Sequence, residues 1–199
     1  MFGGRNRLVR AVIAASLAAA MAVPASAAGI ISRAEWGAHK PVLPMTKQVP
    51  DRITIHHTAV RSKHGLSIVK KLQGLQNFSQ SDAKLADGRR KKQWADVPYH
   101  FYISEDGKIA EGRPADFVGD TNTAYDPAGH LSIVVEGNFQ KEQPTEAELA
   151  SLASLTATLA KKYGIGRDRI GVHKDFAQTE CPGKNLEPYI QMIIAALPQ

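Results

Sequence analysis

Cysteine is nearly absent from this chain: Cys181 is the only one among 199 residues. A single thiol cannot close an internal disulfide, so no disulfide framework holds the fold. It also excludes a structural zinc site built from several cysteines. No Gly-x-Ser-x-Gly turn is present, which removes the strained nucleophile elbow of the serine hydrolases. No His-Glu-x-x-His helix occurs, so two metal ligands one helical turn apart are excluded. Gly164-Ile165-Gly166 follows a helical stretch rather than a strand, and so it is not a phosphate or dinucleotide loop. After residue 27 internal repeats and low-complexity tracts are missing, and no run is apolar enough to span a bilayer.

The first 27 residues read as a secretory signal peptide. Arg5, Arg7 and Arg10 open it, an uncharged apolar stretch runs from Ala11 to Val23, and Ala25-Ser26-Ala27 supplies a small-x-small cleavage site. An uncleaved N-terminal anchor is the alternative, but the apolar stretch is short of the roughly 20 residues a bilayer requires. The remaining chain suits one domain with its own core. The whole chain carries a formal charge of +6; loss of the three arginines leaves 22 basic against 19 acidic residues, or +3. That mild excess suits a carboxylate-bearing partner and makes no case for nucleic acid. A monomer is expected.

The pattern of elements predicts an α/β fold, a single domain with a central mixed β-sheet covered by helices. Arg52 to His57 reads as a buried strand, with Thr54 and His56 on one face and Ile53, Ile55 and His57 on the other. Apolar residues at helical spacing predict a helix over Leu66–Phe78. The polar stretch from Ser79 to Gln93 reads as the least regular part of the domain, and its basic run Arg89-Arg90-Lys91-Lys92 as a solvated loop. Tyr99–Ser104 is a strand, Asp106-Gly107 a hairpin turn, and Lys108–Glu111 its return. Leu131–Glu136 is a further apolar strand. Thr145 and Glu148 form a capping box opening a helix to Tyr163, which Gly164 stops. Arg169–His173 is the last strand, and Pro188 suits the first turn of a final helix. Near the start, Ser32 caps a turn through Trp36, with Glu35 at the reciprocal position.

The chemistry-bearing residues are far apart. His56 closes one apolar run, His173 closes another, and Cys181 opens the turn Cys181-Pro182-Gly183. Two imidazoles and a thiolate can hold Zn2+ and leave a fourth position open, the pattern of a catalytic rather than a structural zinc. Other readings stand beside it. A strand-end histidine is commonly a hydrogen-bonded structural residue, and a lone cysteine an inert core side chain. Cys181 and His173 could form a thiol nucleophile pair, which leaves His56 without a role. His57 competes with His56, although the pleat sends the two to opposite faces. His64 and His130 are further alternatives, and His100 suits sheet packing.

Seven stretches carry a resemblance. They are Ile31-Ser32-Arg33-Ala34-Glu35-Trp36-Gly37-Ala38, Ile55-His56-His57-Thr58-Ala59, Val97-Pro98-Tyr99-His100-Phe101, Asp106-Gly107, Glu136-Gly137-Asn138-Phe139, Val172-His173-Lys174-Asp175 and Thr179-Glu180-Cys181-Pro182-Gly183. In this order they resemble the peptidoglycan-recognition and phage-lysozyme-type N-acetylmuramoyl-L-alanine amidases, the zinc amidase type 2 family. The resemblance implies hydrolysis of the amide between the lactyl group of N-acetylmuramic acid and L-alanine, within residues 28–199. It implies that His56, His173 and Cys181 bind zinc, that Tyr99 is the catalytic tyrosine, and that Thr179 occupies a position held by Lys or Thr in the family. It further implies peptidoglycan or muropeptides as partners, and an exported bacterial protein, periplasmic or secreted.

Substrate contacts are expected from His57, from Glu136 as a proton relay to the leaving amine, and from Asp120. Asp120 stands where many members carry the histidine of a Gly-x-His segment. The stretch Thr121–His130 departs from the family pattern. Two rival functions remain: a non-catalytic peptidoglycan-binding module, in which the cysteine is commonly replaced, and a zinc endopeptidase cutting within the stem peptide.

Overall fold

The computed structural model describes residues 29–84 and 90–198. The expected leader, 1–27, lies outside the described residues, as does Arg89 of the basic run. The strands are β1 (Arg52–His57), β2 (Phe101–Ile103), β3 (Ile109–Glu111), β4 (His130–Val135) and β5 (Ile170–Val172). The helices are α1 (Ile68–Gln80), α2 (Glu146–Tyr163) and α3 (Glu187–Ala196). One five-stranded sheet has the order β3-β2-β4-β1-β5. All neighbours pair in parallel except β2 with β3, which are antiparallel across the Asp106-Gly107 turn. The sheet is therefore mixed, as its sequence pattern predicts.

Helices cover both faces, and the pleat decides what each receives. Ile53 and Ile55 of β1, Leu131 and Ile133 of β4, and Val172 of β5 point to one face. There they meet Leu152, Leu155 and Leu159 of α2 and Ile190 and Ile193 of α3 in the main core. Each such side chain contributes roughly 1.5–3 kcal/mol on burial. The other face is divided. Tyr102 and Val134 pack under Trp36 and under Ile68 and Leu72 of α1. Towards β1 this face turns polar: Thr54 Oγ1 lies 2.7 Å from Nδ1 of His130, and His100 Nδ1 accepts from Ser132 N–H at 2.9 Å. His100 thus serves the sheet.

Local signals account for the helix ends. Thr145 Oγ1 accepts from the Glu148 N–H while the Glu148 carboxylate accepts from the Thr145 N–H, and Gly164 ends α2 with φ +64°. The Ser32–Glu35 turn closes as expected. α1 begins two residues later than the spacing suggests because Ser67 caps it. Two expectations are corrected. His173 is not part of the last strand; it starts a short 3₁₀ turn, His173–Asp175, fixed where Asp175 accepts from the Val172 N–H at 2.8 Å. Nor is the described basic run wholly solvated. Arg90 pairs with Asp82 in solvent, but Lys91 is buried, donating to the carbonyls of Ser79 and Lys92 beside the rings of Phe78 and Trp94.

Thr145→Ala removes one half of the capping box and is expected to cost about 1 kcal/mol. The urea midpoint of unfolding should fall accordingly, with the slope of the transition unchanged.

Candidate metal centre

The parallel register of β1 and β5 builds the site. Ile55 lies level with Val172, so the next residues, His56 and His173, emerge side by side at the C-terminal ends of neighbouring strands. Their ring centroids are 4.6 Å apart, close to the spacing of adjacent strands. Cys181 arrives from the loop after the 3₁₀ turn. Its carbonyl accepts from Lys174 N–H at 3.1 Å, its N–H donates to Thr179 Oγ1 at 3.2 Å, and its sulfur accepts from the His57 N–H at 3.3 Å. Gly183 permits this turn: it has φ +95°, and a Cβ there would lie 2.6 Å from the Phe139 backbone.

One donor atom from each of His56, His173 and Cys181 falls within 4.8 Å of the others. The sulfur lies 3.8 Å from His56 Nδ1. Ordinary zinc–nitrogen and zinc–sulfur bonds at a tetrahedral angle put such atoms about 3.6 Å apart. Nε2 of His56 is buried without a hydrogen-bond partner, so this ring is tied to no other group than the thiol. The three residues therefore fit a zinc ion in number, donor type and spacing.

Electrostatics point the same way. Burial, reinforced by His173 and other nearby histidines, holds His56 well below the usual histidine range. Burial also lowers His173. Both rings are thus neutral at pH 7, the form that ligates. Burial pushes the Cys181 thiol up to about 12, and the His57 N–H offsets only part of that. Such a thiol stays protonated near neutrality and is a poor unaided nucleophile. A coordinated cation reverses this, because a ligating thiol is deprotonated outright.

His173 and Cys181 open onto a cleft of about 460 Å³, whose wall also includes His57, Tyr99, Thr179 and Lys141. The Tyr99 ring lies 5.3 Å from that of His56, and burial raises its phenol above the ordinary tyrosine value. Thr179 spends its oxygen lone pair on the Cys181 N–H, leaving its hydroxyl hydrogen for the cleft. His57 accepts the Phe139 N–H at Nδ1 and lies over the Phe139 ring, with burial lowering its pKa to about 4. Its remaining proton is on Nε2.

Two residues expected to contact the substrate lie outside the cleft wall. Glu136 is sealed beneath the sheet end: it pairs with Lys71 of α1 at 2.8 Å and accepts the N–H groups of Lys63 and Glu105. Its side chain is 4% exposed, so it organises the loops around β4 and is not in the cleft wall. Asp120 pairs with the buried guanidinium of Arg113 and also lies outside that wall. His64 pairs with Glu105 at the surface, and His130 with Thr54. Sequence reasoning missed Lys141, which carries no spacing signal, and Thr123, whose hydroxyl lies 2.7 Å from His173 Nε2.

Residues 46–184 match the family described as N-acetylmuramoyl-L-alanine amidase (Amidase_2), and the chain belongs to it. It is 28% identical to peptidoglycan-recognition protein SD of Drosophila melanogaster over 171 residues, 81% of this chain and 84% of that one. Among solved structures, N-acetylmuramoyl-L-alanine amidase LysC from Clostridium intestinale is similar with a TM-score of 0.66 and 30% identity, covering 84% of this chain and 95% of LysC. Peptidoglycan recognition protein LE, solved with tracheal cytotoxin, is similar with a TM-score of 0.69 and 32% identity, covering 82% and 92%.

The raised thiol sets a pH dependence. Near pH 7 and above Cys181 is protonated and both histidines are neutral, so a zinc ion held by these three groups would displace one proton. Zinc affinity should therefore rise with pH, about tenfold per unit across that range. Chelator competition, corrected for the chelator's own protonation, measures it; a flat profile removes Cys181 from the ligand set.

Proposed function

We propose that this protein is an exported bacterial zinc amidase that cleaves the amide joining N-acetylmuramic acid to L-alanine in peptidoglycan or its fragments. Residues 1–27 act as the signal peptide and 28–199 as the catalytic domain, working as a monomer in the periplasm or outside the cell. The observation that carries this reading is the convergence of His56, His173 and Cys181, two of which, His173 and Cys181, open onto a cleft that also presents Tyr99 and Thr179.

His56, His173 and Cys181 hold the metal. Bound there, zinc supplies Lewis acidity, polarising a carbonyl and activating water. The chain's own groups do the rest. Tyr99, kept protonated by its burial, donates its O–H to the oxygen that gains negative charge as the carbonyl is attacked. Thr179 donates its free hydroxyl hydrogen to the same region, without the positive charge a lysine would bring. His57 presents a neutral N–H in the cleft wall and orients the substrate. Lys141 offers a cation to stem-peptide carboxylates. Because Glu136 and Asp120 are held by Lys71 and Arg113, the leaving amine takes its proton from cleft water.

A non-catalytic peptidoglycan-binding role is the second reading, favoured by the similarity to recognition proteins. The intact Cys181 and Tyr99 support the enzyme. Mass spectrometry of defined muropeptides, with and without a chelator, separates the two. Free stem peptide beginning at L-alanine, lost on chelation, is the expected product. Stoichiometric zinc without any release of peptide establishes the binding module, and cleavage inside the stem an endopeptidase. Cys181→Ala is expected to lose both zinc and hydrolysis. Tyr99→Phe should retain zinc and lower kcat by about 10²–10³-fold, the usual loss for one oxyanion donor.

A further inference from the structure

The loop entering β4 departs from the family pattern, yet it reaches the ligand set. Thr123 Oγ1 lies 2.7 Å from His173 Nε2 and 2.7 Å from Thr121 Oγ1. The Thr123 N–H donates to the same Thr121 oxygen at 3.1 Å. Two residues on, the Tyr125 ring lies 5.3 Å from that of His173, 5.3 Å from His130 and 6.0 Å from Phe176, stacked on the last. The loop therefore grips His173 at the nitrogen edge and along the ring. Neither threonine is part of the cleft wall or the ligand set.

A neutral imidazole carries one proton, and only the bare nitrogen can ligate. The Thr121 oxygen accepts from the Thr123 N–H, and either threonine hydroxyl can donate to the other; ligation by His173 selects the arrangement in which Thr121 takes the Thr123 hydroxyl hydrogen. That leaves the Thr123 oxygen to accept from His173 Nε2–H, and the lone pair of His173 falls on Nδ1. Were the threonine to donate instead, Nδ1 would be protonated and unable to bind. Threonine suits the task because its branched Cβ restricts χ1.

We propose that Thr123 is a positioning residue that fixes the tautomer and ring plane of His173 for the metal, with Thr121 orienting its hydroxyl. This rests on the zinc reading above. Thr123→Val keeps the shape and removes the hydroxyl; Thr123→Ser keeps the hydroxyl. In the full chain, zinc affinity by chelator competition should fall about 10–100-fold in Thr123→Val, the usual effect of losing such a support. It should return to the original value in Thr123→Ser. The visible absorption of the cobalt(II)-loaded protein should change in Thr123→Val alone. Matched melting temperatures of the metal-free proteins check the fold. If Thr123→Val does not fold, Thr121→Val takes its place, with a smaller loss of affinity expected. Unchanged affinity and spectrum in the valine variant, or equal losses in both Thr123 variants, overturn the proposal while leaving the zinc reading intact. Failure of the original protein to bind zinc overturns both.

Discussion

The site depends on one alignment, the parallel pairing of β1 with β5. Because Ile53, Thr54 and Ile55 lie level with Ile170, Gly171 and Val172, the histidines that follow leave the sheet at the same height. A slip of one residue would send one of the two rings to the opposite face, since side chains alternate along a strand. The main core guards against that slip. Ile53, Ile55, Ile170 and Val172 all sit in the layer against α2 and α3, so a slip of one residue in either strand would force its pair out of it. The apolar face thus holds the polar one in place.

Around this alignment the protein maintains a set of neutral groups. The buried imidazoles of His56, His100 and His130 are all held below their ordinary values, chiefly by burial. His100 and His130 have hydrogen-bond partners within the fold. His56 has only the Cys181 sulfur at one nitrogen and nothing at the other. That contrast sets His56 apart from the histidines that knit the sheet, although all three are buried and carry the same side chain.

Much of the fold was legible in the chain. β1 and β4 are apolar runs of strand length, and α2 carries a capping box at one end and a glycine at the other. Those signals are local: each depends on backbone hydrogen bonds within a few residues, and propensity and patterning report them directly. The errors also have local causes. Asp175 pulls His173 out of the strand by accepting the Val172 N–H, and the apolar pattern of the run before it gives no hint of this. Lys91 reads as part of a solvated cationic run, but the carbonyls of Ser79 and Lys92 satisfy its ammonium inside the fold.

The sequence by itself determined the candidate residue types, the strand that carries His56, the strand that His173 follows and the turn that carries Cys181. Those follow from residue chemistry and short-range pattern. Only the tertiary structure decided which polar residues surround the candidate site. Glu136 lies past the end of a strand neighbouring that of His56, yet Lys71 of α1 takes it out of play. Asp120 goes to Arg113. Thr123, fifty residues before His173 in the chain, comes within hydrogen-bond distance of it. Such partnerships depend on which loops lie over the sheet, and no periodicity in the chain encodes a contact between side chains so far apart.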